Sequence, residues 1–324
     1  MLRIVRLIFL IAMPFLSAGQ VTRESSDIFV TPFGMDHGLR QSMVCEVMKD
    51  HNGLIWMTTG DGLHCFDGRE FASFRVLVDG VSSHSDNLQY SLTESIPGII
   101  TITSSSSILH FNITSGKFTV AFQRKGSYPL LLKSPVADKT LAWIIKEKLC
   151  MVTRDKIIPQ KIEFENGSGM PENFIPEHSC LAPGGALLIA SRKGLLILKP
   201  AKGDKDALWR AEWKSFPGIQ SLVTDPEGRV FVLANGTIFQ YLSNGSLSSY
   251  FDTLLTNQVT MFVDHTGNFW LMSPSKKKHY RLSKGVLHEI HFSVHDGKHV
   301  DSISPDIRSV FEDDDRNIWF GTDG

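Results

Sequence analysis

A repeat of about 43 residues runs through the sequence and constrains its fold more than any other feature. The clearest copies have an Asp, a tight turn, and an aromatic residue six positions after the Asp. They begin at Asp50, Asp225, Asp264 and Asp313, and their aromatic residues are Trp56, Phe231, Trp270 and Trp319. Weaker copies at 97–101, 141–143 and 183–188 fill the middle at similar spacing. A repeat of this length indicates a chain built from similar supersecondary units.

Each unit contains several short β-rich runs separated by turn residues. The first unit predicts strands at 43–48, 54–58, 63–66 and 71–76, and the fifth at 219–223, 230–233, 238–242 and 247–250. Four strands per unit is the pattern of a propeller blade, which closes radially and leaves only short edges. We therefore predict an all-β fold, a β-propeller with six complete four-stranded blades and a seventh truncated at Gly324. We expect a lone strand at 28–32 to complete the last blade, and a ring that is open or poorly sealed.

The recurring Asp and Gly have a structural explanation, because Asp can accept hydrogen bonds from backbone amides two residues on and Gly accommodates a positive φ. The aromatic residue is expected to fill the space between blades. In the last copy, Asp313, Asp314, Asp315 and Asn317 also suggest a calcium loop, but the sixth position of that loop is Ile318 where Gly is needed. We favour the turn and predict no metal site and no cofactor.

The first twenty residues have the pattern of an export signal, with Arg3 and Arg6 before a short apolar run and small residues at 17–19. We predict a signal peptide at 1–19 and the propeller domain at 20–324. A net charge of −1 gives no support to a nucleic-acid partner. The four cysteines, Cys45, Cys65, Cys150 and Cys180, are too few for a disulfide framework. One bridge or buried free thiols both remain open.

The first unit resembles the two-component regulator propeller repeat. The resemblance lies in Gly38-Leu39, in Asp50 to Gly53 with Trp56, in Asp61-Gly62-Leu63, and in Phe66-Asp67-Gly68; residues 318–324 fit the same template. The resemblance implies a seven-bladed propeller in the periplasmic part of a hybrid two-component histidine kinase attached to the inner membrane. It also implies an oligosaccharide ligand, a possible homodimer, and sensor and kinase domains that lie downstream of this fragment.

On this interpretation the chain binds a ligand and is not itself an enzyme. Two alternatives come from other classes: a lyase similar to the streptogramin-inactivating propellers, and a secreted interaction scaffold. The lyase would need a metal and a catalytic histidine on strands that face the central tunnel. The scaffold would lack any downstream kinase.

Candidate site residues are few. The densest histidines are His288, His291, His295 and His299, but in a strand residues 288 and 291 point to opposite faces and do not share a metal easily. Trp209 and Trp213 lie off the repeat in a connection that we expect to be a loop, which makes them the better candidates for exposed rings that stack on a sugar, but no binding site is assigned to them. Four Asn-X-Ser/Thr sites, at Asn112, Asn166, Asn235 and Asn244, are attributed to turns, and 276–278 to a solvated basic turn.

Overall fold

The structure is a computed structural model that describes residues 24–75, 77–78, 81–82, 91–132, 139–145, 148–165, 169–171, 173–201, 208–255, 259–273, 277–295 and 299–323. The predicted signal peptide at 1–19 lies outside these residues and stays a prediction. In the described part of the chain, no helix is long and apolar enough to span a membrane.

Strands account for nearly all of the regular structure, which is arranged in antiparallel blades. Strand β1 spans Glu24–Phe29, and a 3₁₀ turn at Met35–His37 follows it. The first blade comprises β2 (Val44–Lys49), β3 (Ile55–Thr59), β4 (Gly62–Phe66) and β5 (Phe71–Phe74). A small hairpin of β6 (Leu77–Val78) and β7 (Val81–Ser82) leads to the second blade, which comprises β8 (Leu92–Ile96), β9 (Ile99–Thr103), β10 (Ser107–Asn112) and β11 (Lys117–Gln123).

The third and fourth blades follow the same order, and the fourth has an extra strand. The third comprises β12 (Leu130–Leu132), β13 (Thr140–Ile144), β14 (Lys148–Val152) and β15 (Ile157–Pro159). Strand β16 (Lys161–Phe164) then crosses to the fourth blade, where it pairs in parallel with the outermost strand. That blade comprises β17 (His178–Leu181), β18 (Leu187–Ser191), β19 (Gly194–Pro200) and β20 (Leu208–Ser215).

The last three blades complete the order. The fifth comprises β21 (Ile219–Thr224), β22 (Val230–Ala234), β23 (Thr237–Tyr241) and β24 (Leu247–Asp252). The sixth comprises β25 (Thr260–Val263), β26 (Phe269–Ser273), β27 (Lys278–Ser283) and β28 (Val286–His295), and β29 (Val300–Ile303) pairs with the end of β28. The seventh has two described strands, β30 (Ile307–Glu312) and β31 (Ile318–Thr322). The predicted fold class, with six four-stranded blades and a two-stranded seventh, is confirmed.

The N-terminal strand does not lie where we expected it. Instead of completing the seventh blade, β1 pairs in parallel with β28 at the outer edge of the sixth, from Glu24 opposite His288 to Phe29 opposite Ser293. A further backbone hydrogen bond of 2.9 Å from Val30 to Ser293 extends this ladder. The ten-residue β28 explains the difference: β1 pairs along its outer edge, and β29 pairs on the opposite edge with the end of β28 that extends beyond β27.

The ring is closed by apolar side chains, contrary to the expected open seam. Among the described residues, seven buried clusters each join two neighbouring blades. The two-stranded seventh blade packs on both sides: Phe320 lies against Trp270 of the sixth blade, and Trp319 against Phe66 of the first. Two apolar faces are enough to hold a blade between its neighbours, because burial of those faces does not depend on the outer strands.

In the four units that contain it, the repeated Asp organises its turn through both carboxylate oxygens. Asp264 Oδ1 accepts hydrogen bonds from the amides of Thr266 (2.9 Å) and Asn268 (3.0 Å), and Oδ2 accepts one from Trp270 Nε1 at 2.8 Å. Burial raises the pKa of Asp264, but the hydrogen bonds from Thr266, Trp270 and Asn268 outweigh it and hold the pKa below its usual range. The same Asp–indole bond joins Asp50 to Trp56 and Asp313 to Trp319, each at 2.8 Å. The last copy is therefore a turn, as predicted.

Side chains also link the turn of one blade to the innermost strand of the next. Glu94 accepts from the backbone amide of His51 at 2.7 Å, and its other oxygen lies 2.7 Å from His51 Nδ1. Glu312 bonds the amide (2.8 Å) and the ring of His265 in the same way between the sixth and seventh blades. These bridges hold neighbouring blades in register at the end of the ring where the Asp turns lie.

Candidate ligand-binding site

The two tryptophans expected as exposed stacking residues are not on a loop. Both lie on β20, the fourth strand of the fourth blade. The side chain of Trp209 is 4% exposed and packs in the cluster between the third and fourth blades. Trp213 is half-buried against the same cluster, 5.6 Å from the ring of Phe174. The expected exposure of Trp209 was wrong, because its position off the repeat reflects a core contact between blades and not a loop.

The densest group of histidines lies on or just after one strand, and three of its four members are exposed. His288, His291 and His295 lie on the single strand β28, where 288 and 291 occupy opposite faces, and His299 follows that strand. No group of three or more His, Cys, Asp or Glu side chains in the described ranges is arranged to hold a metal ion. His178, however, lies on β17, an innermost strand of the kind that lines the tunnel. The lyase alternative requires a histidine on such a strand, so this requirement does not exclude it.

The described Asn-X-Ser/Thr sites and the basic run lie at turns, as expected. Asn235 (φ 51°) and Gly236 (φ 84°) form the β22–β23 turn, and Asn244 and Gly245 the β23–β24 turn. Asn112 caps a turn by accepting from the amide of Ser115 at 2.8 Å, whereas Asn166 lies outside the described residues. Of the basic run, Lys277 and Lys278 are described and lie at the β26–β27 turn.

None of the four cysteines forms a disulfide, which answers the question that the sequence left open. Cys65, Cys150 and Cys180 are buried, and Cys45 is partly exposed. Burial raises the pKa of Cys65 to about 12, so this thiol is protonated and unreactive at neutral pH.

A polar depression of about 530 Å³ opens at one end of the first blade. It is lined by two cations, one carboxylate, one amide and one glycine, namely Arg40, Arg75, Asp61, Gln41 and Gly60. These residues converge because β2 begins, β3 turns into β4, and β5 ends at the same end of the sheet. Sequence reasoning missed this site, since only Asp61 belongs to the repeat and nothing in the spacing distinguishes Arg40 or Arg75.

A buried histidine supports the floor of this depression. His64 is 1% exposed, and its Nε2 lies 2.9 Å from Thr59 Oγ1 and its Nδ1 2.8 Å from Ser73 Oγ. Thr59 Oγ1 in turn accepts from the amide of Asp61 at 3.2 Å. Burial lowers the pKa of His64 to about 4, with Asp61 opposing and Arg40 adding to the shift. The imidazole is therefore neutral at pH 7 and links β4 to β3 and β5 through the hydroxyls of Thr59 and Ser73.

Comparison with known proteins identifies the repeat at the end of the chain. Residues 301–324 match the family model of the two-component regulator propeller. This segment contains β30, β31 and the Asp313–Trp319 pair. No curated protein matches the sequence.

Solved structures share the fold at low sequence identity. The extracellular domain of the hybrid two-component system BT4673 from B. thetaiotaomicron is 18% identical with a TM-score of 0.65, and the match covers 93% of this chain and 39% of that chain. The extracellular domain of BT3049 from the same organism is 18% identical with a TM-score of 0.63, and the match covers 91% of this chain and 40% of that chain. Virginiamycin B lyase from Staphylococcus aureus, solved as a catalytically inactive variant with quinupristin, is 13% identical with a TM-score of 0.62. This match covers 88% of this chain and 93% of that chain.

The chain thus spans about two-fifths of the length of these two extracellular-domain structures. At these identities the likeness establishes the fold, and the matched repeat adds the family signature of its last unit. The protein is therefore a β-propeller that carries a two-component regulator propeller repeat and is similar in fold to the extracellular domains of hybrid two-component systems.

Proposed function

We propose that this chain is the ligand-sensing propeller of a hybrid two-component sensor, exported to the periplasm and responding to an oligosaccharide. The observation that carries the proposal is the match of residues 301–324 to the regulator propeller, in a segment that forms the seventh blade. Its support from structure is the shared fold with extracellular domains of such sensors. In this role the propeller binds its ligand and does not catalyse a reaction. The signal is relayed by a membrane span and a kinase in the same gene product. That gene product acts as a homodimer.

The proposal is tested by titrating the purified periplasmic region with a panel of oligosaccharides in a calorimeter. We expect at least one glycan to bind, and the same glycan to raise transcription of neighbouring degradation genes in cells that contain the full gene. Absence of both binding and a transcriptional response across the panel would contradict the proposal.

A second candidate function is a lyase of the streptogramin-inactivating type. It is favoured by a fold match that covers 93% of the virginiamycin B lyase chain and by His178 on an innermost strand. Incubation with quinupristin, followed by mass spectrometry of the product, tests it. Ring opening that is lost in His178→Ala would support this candidate, and intact quinupristin after prolonged incubation would exclude it.

A further inference from the structure

The depression at the end of the first blade has an excess of positive charge. Arg40 and Arg75 are exposed at its rim, and Asp61 is the one carboxylate among its described lining residues. Arg75 Nε lies 3.8 Å from Asp61 Oδ2, which is longer than a direct hydrogen bond. Arg40 forms no hydrogen bond or ion pair with another described residue. Both guanidinium groups therefore keep donors that point to solvent or to a ligand.

The wall of the depression contains a buried polar atom without a partner. Gln41 Oε1 is buried and accepts no hydrogen bond from the described residues. A Cβ on Gly60 would lie 2.6 Å from this oxygen, so the glycine is what allows the amide to pack at this place. A buried polar atom that lacks a partner costs free energy, and rotation of the Gln41 amide toward a ligand hydroxyl in the depression would recover that cost.

Two cations beside polar acceptors match a particular ligand chemistry. A guanidinium presents a planar fork of N–H donors that fits the oxygens of a carboxylate or sulfate, and charge-assisted bonds of this kind are the stronger ones. Asp61 and Gln41 supply acceptors for hydroxyl groups on the same ligand. The floor is rigid, because the hairpin that carries Asp61 is fixed through Thr59 to the buried His64.

We propose that this depression binds the oxyanion of an acidic, hydroxylated ligand, with Arg40 and Arg75 on the carboxylate or sulfate group and with Gln41 and Asp61 on neighbouring hydroxyls. The inference rests on the proposed sensor function and narrows its ligand to acidic oligosaccharides. A uronic acid and a sulfated sugar share the required chemistry and differ in the charged group.

The test titrates the periplasmic region with three oligosaccharides of equal length: a uronate-containing one, a sulfated one, and a neutral one. We expect one of the two acidic probes to bind with an affinity that falls as ionic strength rises, and the neutral probe to bind at least about tenfold more weakly. The acidic probe that binds identifies the source of the oxyanion.

Variants locate the site. Arg40→Gln and Arg75→Gln should each weaken acidic binding by about tenfold, and Gln41→Glu should abolish it by placing a negative charge in the depression at nearly constant volume. Arg69→Gln is the matched control, since Arg69 is an exposed arginine at the β4–β5 turn, at the opposite end of the same blade. Thermal unfolding of each variant confirms that the blade is intact.

The outcomes separate the two proposals. If a neutral oligosaccharide binds as tightly as the acidic ones, or if acidic binding survives in Arg40→Gln, Arg75→Gln and Gln41→Glu, the oxyanion site is wrong while the sensor function stands. If no oligosaccharide of any charge binds, both are wrong.

Discussion

Arg229 Nε donates a hydrogen bond of 2.7 Å to Asp225 Oδ2, the carboxylate oxygen that in three other units accepts the tryptophan indole. The fifth unit has Phe231 at the aromatic position, and phenylalanine has no N–H to donate. The carboxylate is 1% exposed, and a donor from the strand start replaces the missing indole. The repeat therefore keeps the buried Asp carboxylate hydrogen-bonded, while the residue that donates to it differs between units.

Removing this substitute donor should destabilise the fifth blade. In Arg229→Ala, Asp225 Oδ2 loses both its bond to Nε and its contact with the terminal nitrogen, and we expect the free energy of unfolding to fall by about 1–2 kcal/mol. Urea denaturation measures the change. Arg154→Ala, at an exposed turn of the third blade, is the control and should change it by less than about 0.5 kcal/mol. Equal effects for the two variants would contradict this account of Asp225.

Removing the carboxylate itself should cost more. Asp264→Ala leaves the indole of Trp270 and the amides of Thr266 and Asn268 without their acceptor, so we expect a loss of about 3 kcal/mol. Asp264→Asn should cost less, because its remaining oxygen still accepts from the amides. Asp301→Ala, on the exposed β29, should be nearly neutral. A loss for Asp264→Ala no larger than that for Asp301→Ala, in the same denaturation experiment, would refute this role.

One turn of the repeat contains a residue with a strained backbone, and a substitution can relieve this strain. Arg316 has a φ of 71° at the position where the turn starting at Asp264 has Gly267 with a φ of 80°. A left-handed backbone is costly for any residue with a Cβ, so Arg316→Gly should stabilise the protein by about 0.5–1 kcal/mol. The reciprocal change Gly267→Arg should destabilise it by about 1 kcal/mol, since no atom lies within 4 Å of the added Cβ and strain is the main effect. Shifts of the melting temperature in the same direction for both variants would contradict this.

Acid should destabilise the protein in a defined range of pH. The pKa of His64 is about 4 in the folded state against an unfolded value of 6.5. The unfolded chain therefore binds the proton more readily between these values, and stability is full above about pH 6.5 and falls by up to about 3 kcal/mol as pH drops to about 4. Burial also lowers the pKa of His110, His178 and His279, which act in the same direction.

Unfolding measured from pH 7 to pH 4 tests this contribution. In His64→Gln we expect lower stability at pH 7 and a shallower dependence on pH, because the titrating group is gone. A pH dependence identical to that of the unchanged protein would show that His64 does not contribute.

The blades could be predicted from the sequence because their determinants are local. In the fifth unit the predicted strands 219–223, 230–233, 238–242 and 247–250 differ from the observed ones by at most a few residues, since Asn235-Gly236 and Asn244-Gly245 mark the turns. The weak middle units also form blades: Trp143 fills a core at 1% exposure where spacing alone placed it.

What the sequence did not reveal depends on contacts between distant residues. The burial of Trp209 requires knowledge that β13 and β18 pack against its strand, and the parallel pairing of β1 with β28 joins residues about 260 positions apart. Arg40 and Arg75 come together only when the first blade folds, so neither carries a signal in the linear pattern. The Glu94–His51 bridge could not be predicted either, because it depends on how the first and second blades pack side by side in the ring.

The location of β1 on the sixth blade has a mechanical consequence for the ring. The first and seventh blades share no continuous strand ladder; their backbones meet, within the described residues, at one bridge between Met43 and Asp323. Side chains supply the rest of the junction, through the rings of Phe33, Phe66 and Trp319 and the Lys49–Asp314 ion pair at 2.6 Å. Side-chain clusters also join the other neighbouring blades, so this junction differs through its N-terminal strand. Because the chain continues from β1 on the sixth blade into β2 of the first, residues 30–43 connect the two blades that flank the seventh.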